Sequence, residues 1–257
     1  MNPRVVEKLS PWIFTVAIFL IWEASCRVFN VNSSVLQPPS AAFAAMFKYW
    51  KVFAYNSWVT LWVTMVGFAL AVGFGVMLGL LVGWSRTIYR GLYPVMVGFN
   101  TIPKVAIVPL LILWFGIGEI PAIVTAFLIS FFPIVVNIAT GLATTEPELE
   151  DVLRALGAGK LDIMLKVGIP RALPYFFGSL KVAITLAFVG TVVSETLGAN
   201  AGLGYLIALE GSSFRMANVY AALLLLAFEG VLMYAVFAWI EQHFTKWAFR
   251  SQMNVAA

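Results

Sequence analysis

Residues 145–174, TEPELEDVLRALGAGKLDIMLKVGIPRALP, form the longest polar interruption in a chain that is otherwise nearly all apolar. Thr145 can accept the backbone N–H of Glu148 while Glu148 reaches back, a capping box, and Pro147 falls in the first turn, where a missing N–H costs little. A helix is expected to start here. Glu146, Glu148, Glu150 and Asp151 crowd its positive end, and Leu149, Val152, Leu153 and Leu156 recur at helical spacing, which gives one apolar stripe opposite a charged face. Gly157-Ala158-Gly159 stops the helix, and the sharp turn calls for a positive φ or a close backbone approach at Gly157. A second short amphipathic segment follows, with Leu161, Met164 and Leu165 on one side and Lys160, Asp162 and Lys166 nearby, and Pro170 and Pro174 are expected to break it. The segment reads as helix, glycine turn and second helix, outside the hydrocarbon, where a soluble partner could grip it.

Outside this stretch the chain is built for lipid. Of 257 residues 61% are hydrophobic and 11% charged, against roughly a quarter charged in soluble domains. The polar sequence is too short for a separate soluble domain, so one all-α membrane domain accounts for the chain. No Gly-x4-Gly-Lys-Ser/Thr string occurs, so an ATPase within the chain is not expected. One His (His243) and one Cys (Cys26) exclude a His- or Cys-rich metal site and an internal disulfide. The net charge of +4 is spread between the spans instead of forming one block, which argues topology and not nucleic-acid binding. Arg4 and Lys8 before an apolar run mimic a secretory signal, but Glu23 interrupts the run, and an uncleaved first helix is expected.

A span needs about 20 apolar residues, and six stretches qualify: 11–29, 58–84, 92–115, 120–142, 178–197 and 219–240. With the N-terminus inside, eleven Lys and Arg fall on the inner side (Arg4, Lys8, Arg86, Arg90, Arg154, Lys160, Lys166, Arg171, Lys181, Lys246, Arg250) and four on the outer side (Arg27, Lys48, Lys51, Arg215). The positive-inside rule then places both termini and the 145–174 loop in the cytoplasm. Between the first two spans Ser40 is expected to cap an outer-surface helix with Phe43, Met46, Phe47 and Trp50 on one face. Gly75, Gly79 and Gly83 in the second span repeat the small-residue spacing that lets membrane helices approach closely. Pro94, Pro103 and Pro109 make the third span either kinked or opened toward a water-filled path. After the fifth span, Gly198, Gly202, Gly204 and Gly211 suggest a flexible, irregular outer segment. No internal repeat is found.

Glu23, Lys104, Glu195 and Glu229 fall within or near the hydrocarbon, where each costs roughly a few kcal/mol unless paired or wet. Lys104 and Glu229 both lie about halfway along their spans, so they read as an intramembrane ion pair, with Glu23 as another partner for Lys104. The other reading is that Lys104 lends positive potential to a path used by an anion. Glu195 is placed to hydrogen-bond the glycine-rich outer segment. The tryptophans near span ends (Trp12, Trp22, Trp58, Trp84, Trp114 and Trp247) read as an interfacial belt.

The spacing in residues 145–174 resembles the cytoplasmic loop of bacterial ABC-importer permeases: Glu-Ala-Ala, three residues, Gly, nine residues, Ile, one residue, Leu-Pro. Asp151-Val152-Leu153 takes the first place, Gly157 the glycine, Val167 the isoleucine and Ile169-Pro170 the last pair. Asp151-Val152-Leu153 keeps the acid but is bulkier. IPKVAIVPLLILWFGIGEIPAI, FFPIVVN and VVSETLGANAGLGYLI look like the permeases serving sulfonate, taurine and nitrate importers, and the likeness runs from about Ser57 to the end of the sixth span. The resemblance implies a type I importer permease fold with six transmembrane helices in a bacterial inner membrane. It also implies a homodimer of permeases, two ATPases that bind ATP and Mg on the cytoplasmic side, and a solute-binding protein outside. This chain is then no enzyme and binds no cofactor itself. Residues 57–245 would be the transporter domain, preceded by a first helix and surface segment (1–56) and followed by a cytoplasmic tail (246–257). Glu148, Leu149, Asp151, Val152, Leu153, Arg154, Leu156, Gly157, Ile169 and Pro170 would couple to the ATPase. Lys104, Glu195, Glu229, Pro103 and Pro109 would line the path or form the intramembrane pair. The cargo expected from the resemblance is a small anion; related permeases that carry thiamine-precursor pyrimidines, riboflavin or aromatic acids, and more distantly a secondary transporter, are the alternatives.

Overall fold

The computed structural model describes residues 3–29, 32–144 and 147–253, and all the regular structure among them is helical. In chain order the helices are α1 (Pro3–Val28), α2 (Pro39–Lys48), α3 (Trp50–Gly83), α4 (Arg86–Thr101), α5 (Val108–Phe115), α6 (Glu119–Ala143), α7 (Pro147–Ala155), α8 (Lys160–Ile163), α9 (Ile169–Gly198), α10 (Leu203–Ser212) and α11 (Met216–Met253). A 3-10 turn, Lys104–Ile107, leads into α5, and a π-turn, Met164–Gly168, joins α8 to α9. Five stretches are long and apolar enough to cross a bilayer, and the α4–α5 pair, bent by 65°, makes a sixth. These match the six expected spans.

The centre of the bundle is α6, which packs along α3 on one side and α9 on the other, with α10 and α11 against α9. Glycine sets the α3–α6 distance. A Cβ at Gly75 would lie 2.9 Å from the Cβ of Ile134, one at Gly79 2.8 Å from that of Ile138, and one at Gly83 2.9 Å from that of Leu142. The small-residue spacing therefore does what it promised. Lipid is as apolar as leucine, so membrane helices associate through close packing and not through expulsion of water. Ile134, Val135, Ala139 and Ala183 are fully buried at this centre. On α1, by contrast, Trp12 is 71% and Ile18 63% exposed, the surface of a helix facing lipid.

Three local expectations need correction. Ser40 does not cap α2: Pro38 holds the cap position with Pro39 behind it. Pro39 has no N–H to satisfy, and the next orphan donor, Ser40 N–H, reaches Glu23 Oε2 at 3.0 Å while the Ser40 hydroxyl donates to Glu23 Oε1 at 2.8 Å. Glu23 also accepts from Arg27 Nε at 2.8 Å, so its partners lie on α1 and α2 and not at Lys104. The buried side of α2 is Pro39, Ala42 and Ala45, with Phe43 and Phe47 exposed. Second, Pro170 and Pro174 do not break the chain's helix. Pro170 sits in the first turn of α9 and Pro174 inside it. The wide π-turn before Pro170 gives its ring room where an α-turn would bring the carbonyl of Lys166 against it. Third, the glycine-rich segment after α9 is ordered as a turn and α10. At its start Gly202 N–H donates to Asn56 Oδ1 (2.8 Å), Leu203 N–H to Thr60 Oγ1 (2.8 Å) and Gly204 N–H to Glu195 Oε2 (2.9 Å). The orphan donors of a new helix are thus met by side chains from α3 and α9.

Candidate functional site

The loop from α7 to the π-turn stands at one end of the bundle. The turn that closes α7 is a Schellman motif: Ala158 N–H reaches Leu153 O at 3.0 Å and Gly157 N–H reaches Arg154 O at 2.9 Å, with Gly157 at φ +86°. The expected positive φ is there. Beyond the turn, Ile163 and Gly168 are buried, and a Cβ at Gly168 would meet Leu142 Cδ2 at 3.2 Å, which ties the second half of the loop to the end of α6. The first half is open. Val152 is 56% and Leu156 78% exposed, and across the turn Leu161 and Leu165 are also exposed. Asp151 and Arg154 are exposed beside them, and Leu153, Ile169 and Pro170 are half-buried. The Thr145–Glu148 capping box lies outside the described residues, as do the side chains of Glu148 and Leu149. The loop therefore presents an apolar stripe, flanked by charge, that none of the described residues covers.

Lys104 and Glu229 do not meet. The Lys104 ammonium donates to Asn100 Oδ1 at 3.0 Å and to Asn100 O at 3.2 Å. Glu229 is 4% exposed on α11, with the Ser57 side chain of α3 as its neighbour and Oε2 without a partner. Counting depth along the sequence assumes straight spans, and the third span is bent between Thr101 and Lys104. Pro103 lies in the break and Pro109 falls in the first turn of α5, so two prolines bracket the 3-10 turn that follows the break. Asn100, Thr101, Ile102 and Pro103 are all exposed on the outside of the single chain.

Glu195 lies among hydroxyls and amides, 2% exposed, accepting from Thr60 Oγ1 at 2.9 Å and from Gly204 N–H. Thr64 donates to Thr191 at 3.0 Å one turn along. Its expected bond to the glycine-rich segment is present, but Asn56 and Thr60, which complete the arrangement, were missed. Their signal was legible: Asn56, Thr60 and Thr64 recur every fourth residue on one face of an apolar span. A cavity of about 220 Å³ adjoins them at the end of the bundle away from α7, lined by Tyr55, Glu119, Glu195 and Asn200 among others. Among the described residues no group of His, Cys, Asp and Glu could hold a metal ion.

Residues 71–249 match the family described as binding-protein-dependent transport system inner membrane component. The formylaminopyrimidine transport permease protein ThiX of Halalkalibacterium halodurans is 31% identical, over 95% of this chain and 98% of its own. The putative aliphatic sulfonates transport permease protein SsuC of Bacillus subtilis is 29% identical, over 91% of this chain and 86% of its own. The inward-facing MetNI methionine ABC transporter contains a chain that superposes with a TM-score of 0.66 at 22% identity, over 76% of this chain and 96% of that one, which shows the fold. A helical bundle of six spans, a match over most of its length and a type I importer fold converge: the chain belongs to the binding-protein-dependent transport system inner membrane components and is the multi-pass inner-membrane permease of an ATP-driven ABC importer.

Proposed function

We propose that two copies of this chain face each other across the break between α4 and α5, that cargo passes between them, and that α7 and α8 seat in a cytoplasmic ATPase. The observation that carries this reading is the break itself. Irregular backbone at membrane depth is tolerated only where protein covers it or water fills the space beside it. A lysine facing the middle of a bilayer costs about 2.5–3.5 kcal/mol on insertion scales. Here Asn100 to Pro103 stand uncovered in the single chain. A second copy with an aqueous path between the two relieves both costs. ATP and Mg belong to the ATPase, whose closure carries α7 with it; the chain supplies the path and the docking stripe, and a binding protein delivers cargo from the outer side.

Lys104, with Asn100 beside it, favours a small anion, such as a sulfonate, as the cargo. A thiamine-precursor pyrimidine is the second reading, favoured by the likeness to the formylaminopyrimidine permease over nearly the whole chain. Lys104→Met in the complete transporter separates them. Anion uptake into proteoliposomes should fall at least tenfold, on the order of the attraction a single desolvated charge supplies, with the permease still folded because Lys104 has no buried ion partner among the described residues. Undiminished anion uptake in this variant would remove the anion reading, and robust uptake of an aminopyrimidine would put the second in its place.

Orientation has its own measurement. In a Cys26-free background, cysteines at Gly159 and Ser213, both exposed, should be labelled by an impermeant thiol reagent from the inner and outer faces respectively. Labelling of both from one face would overturn the orientation and the docking assignment with it.

A further inference from the structure

A second cavity, about 250 Å³, opens at the α7 end, where α3 ends, α4 begins, α6 ends and the loop folds beneath them. Its polar lining includes Ser85, Thr87, Arg154 and Lys160, and none of the described residues that line it is acidic. Lys160 is not loose: its ammonium lies 5.0 Å from the centre of the Trp84 ring, which fixes the charge at the wall of the cavity. The Ser85 hydroxyl accepts Thr87 N–H at 3.3 Å, so the start of α4 is fixed as well. Two cations and two hydroxyls thus converge on one space where the apolar run of α3 gives way to polar chain. That is the level of a bilayer at which phosphates lie, with hydrocarbon on one side and water on the other. Leu81 on α3 and Ile88 and Leu92 on α4 are exposed apolar neighbours along the same two helices, a surface suited to acyl chains.

We propose that this cavity seats the phosphate of an anionic phospholipid, held by Arg154 and Lys160 with Ser85 and Thr87 as hydrogen-bond donors. Basic pockets between membrane helices recognise headgroups in this way. The site lies between the docking loop and the spans, so an occupied cavity would brace one against the other. The assignment does not depend on the cargo or on the α4–α5 path.

The test uses the intact transporter, permease with its ATPase, stripped of lipid in mild detergent and followed by native mass spectrometry. The probes are phosphatidylglycerol, phosphatidylcholine with the same acyl chains, and inorganic phosphate. One phosphatidylglycerol per permease chain should be retained in preference to phosphatidylcholine. Lys160→Gln should weaken its binding about fivefold and Arg154→Gln with Lys160→Gln about twenty-five-fold, whereas Lys48→Gln, on α2, should change nothing. Lys160 is exposed, so the single variant folds and decides the matter even where the double variant sheds its ATPase. Equal phosphatidylglycerol binding by parent and Lys160→Gln would overturn the site. Displacement of the lipid by inorganic phosphate at matching concentration would overturn the lipid as its source.

Discussion

Gly157→Val is expected to lower ATP-driven uptake about five- to thirtyfold while leaving a permease that inserts and remains intact in detergent. Gly157 is held at φ +86° by the two hydrogen bonds that close α7. A Cβ there would touch nothing within 4 Å, so the cost is conformational and not steric crowding. The left-handed region costs an L-residue roughly 1–2 kcal/mol, and a β-branched side chain is a genuine outlier there. That is about a five- to thirtyfold depletion of the native turn, concentrated at the joint that sets α7 against α8. Val152 and Leu156 on one side of the joint then no longer align with Leu161 and Leu165 on the other, and the stripe proposed to dock the ATPase is split. Gly159→Ala is the matched control. Its φ is −71°, ordinary for any residue, and its nearest neighbour would be Asp162 Oδ2 at 3.4 Å. Pull-down of the ATPase together with uptake into proteoliposomes reads both variants. Parental transport by Gly157→Val would reduce the loop to a simple connection.

Gly79→Leu should prevent assembly of the bundle, with little monodisperse protein surviving detergent extraction. Its Cβ would lie 2.8 Å from the Cβ of Ile138 and 3.2 Å from the carbonyl oxygen of Val135. Both atoms are fixed to the α6 backbone, so no rotamer change relieves the clash and the helices must separate. Overpacking of this kind costs about 1–3 kcal/mol and occasionally more. It also opens the α3–α6 seam between the contacts at Gly75 and Gly83, and close packing is what holds membrane helices together. Gly73, on the same helix, faces open space: a Cβ there would meet nothing within 4 Å, and Gly73→Leu should extract and melt like the parent. Size-exclusion profiles and melting temperatures of the two variants give the comparison; equal behaviour would mean that α3 and α6 do not meet along this seam.

The parts of this architecture that were legible in the sequence are those where one residue type answers to one local demand. Gly157 could be read because a helix ending in a sharp reversal needs φ above zero, and Gly75, Gly79 and Gly83 because only glycine recurs every fourth residue where two backbones touch. Glu195 could be assigned to the glycine-rich segment because a carboxylate near a helix end seeks free N–H groups. What failed depended on three-dimensional position. Lys104 and Glu229 match in depth only if both spans are straight, and Pro103 sees to it that one is not. The segment after Gly198 looked irregular because its order comes from Asn56 and Thr60, more than 140 residues away for the pairs with Gly202 and Leu203. Ser40 looked like a cap because nothing local announces that Glu23 will take its donors. Pro170 looked like a stop because a π-turn has no sequence mark beyond the proline that it accommodates.

The π-turn at Met164–Gly168 also fixes an angle. Each α-helical residue advances the chain by about 100° around the axis and about 1.5 Å along it, and a π-turn takes up one residue without adding that rotation. The nine residues between Gly157 and Val167 are therefore a measure of azimuth as much as of distance. They determine which way Leu161 and Leu165 point once α9 has chosen the face it turns toward α6. A relative with one residue fewer in this interval could keep every span packed and still aim its apolar stripe about a quarter-turn away, so that, under the proposed docking, permeases with the same bundle would differ in which ATPase they can engage.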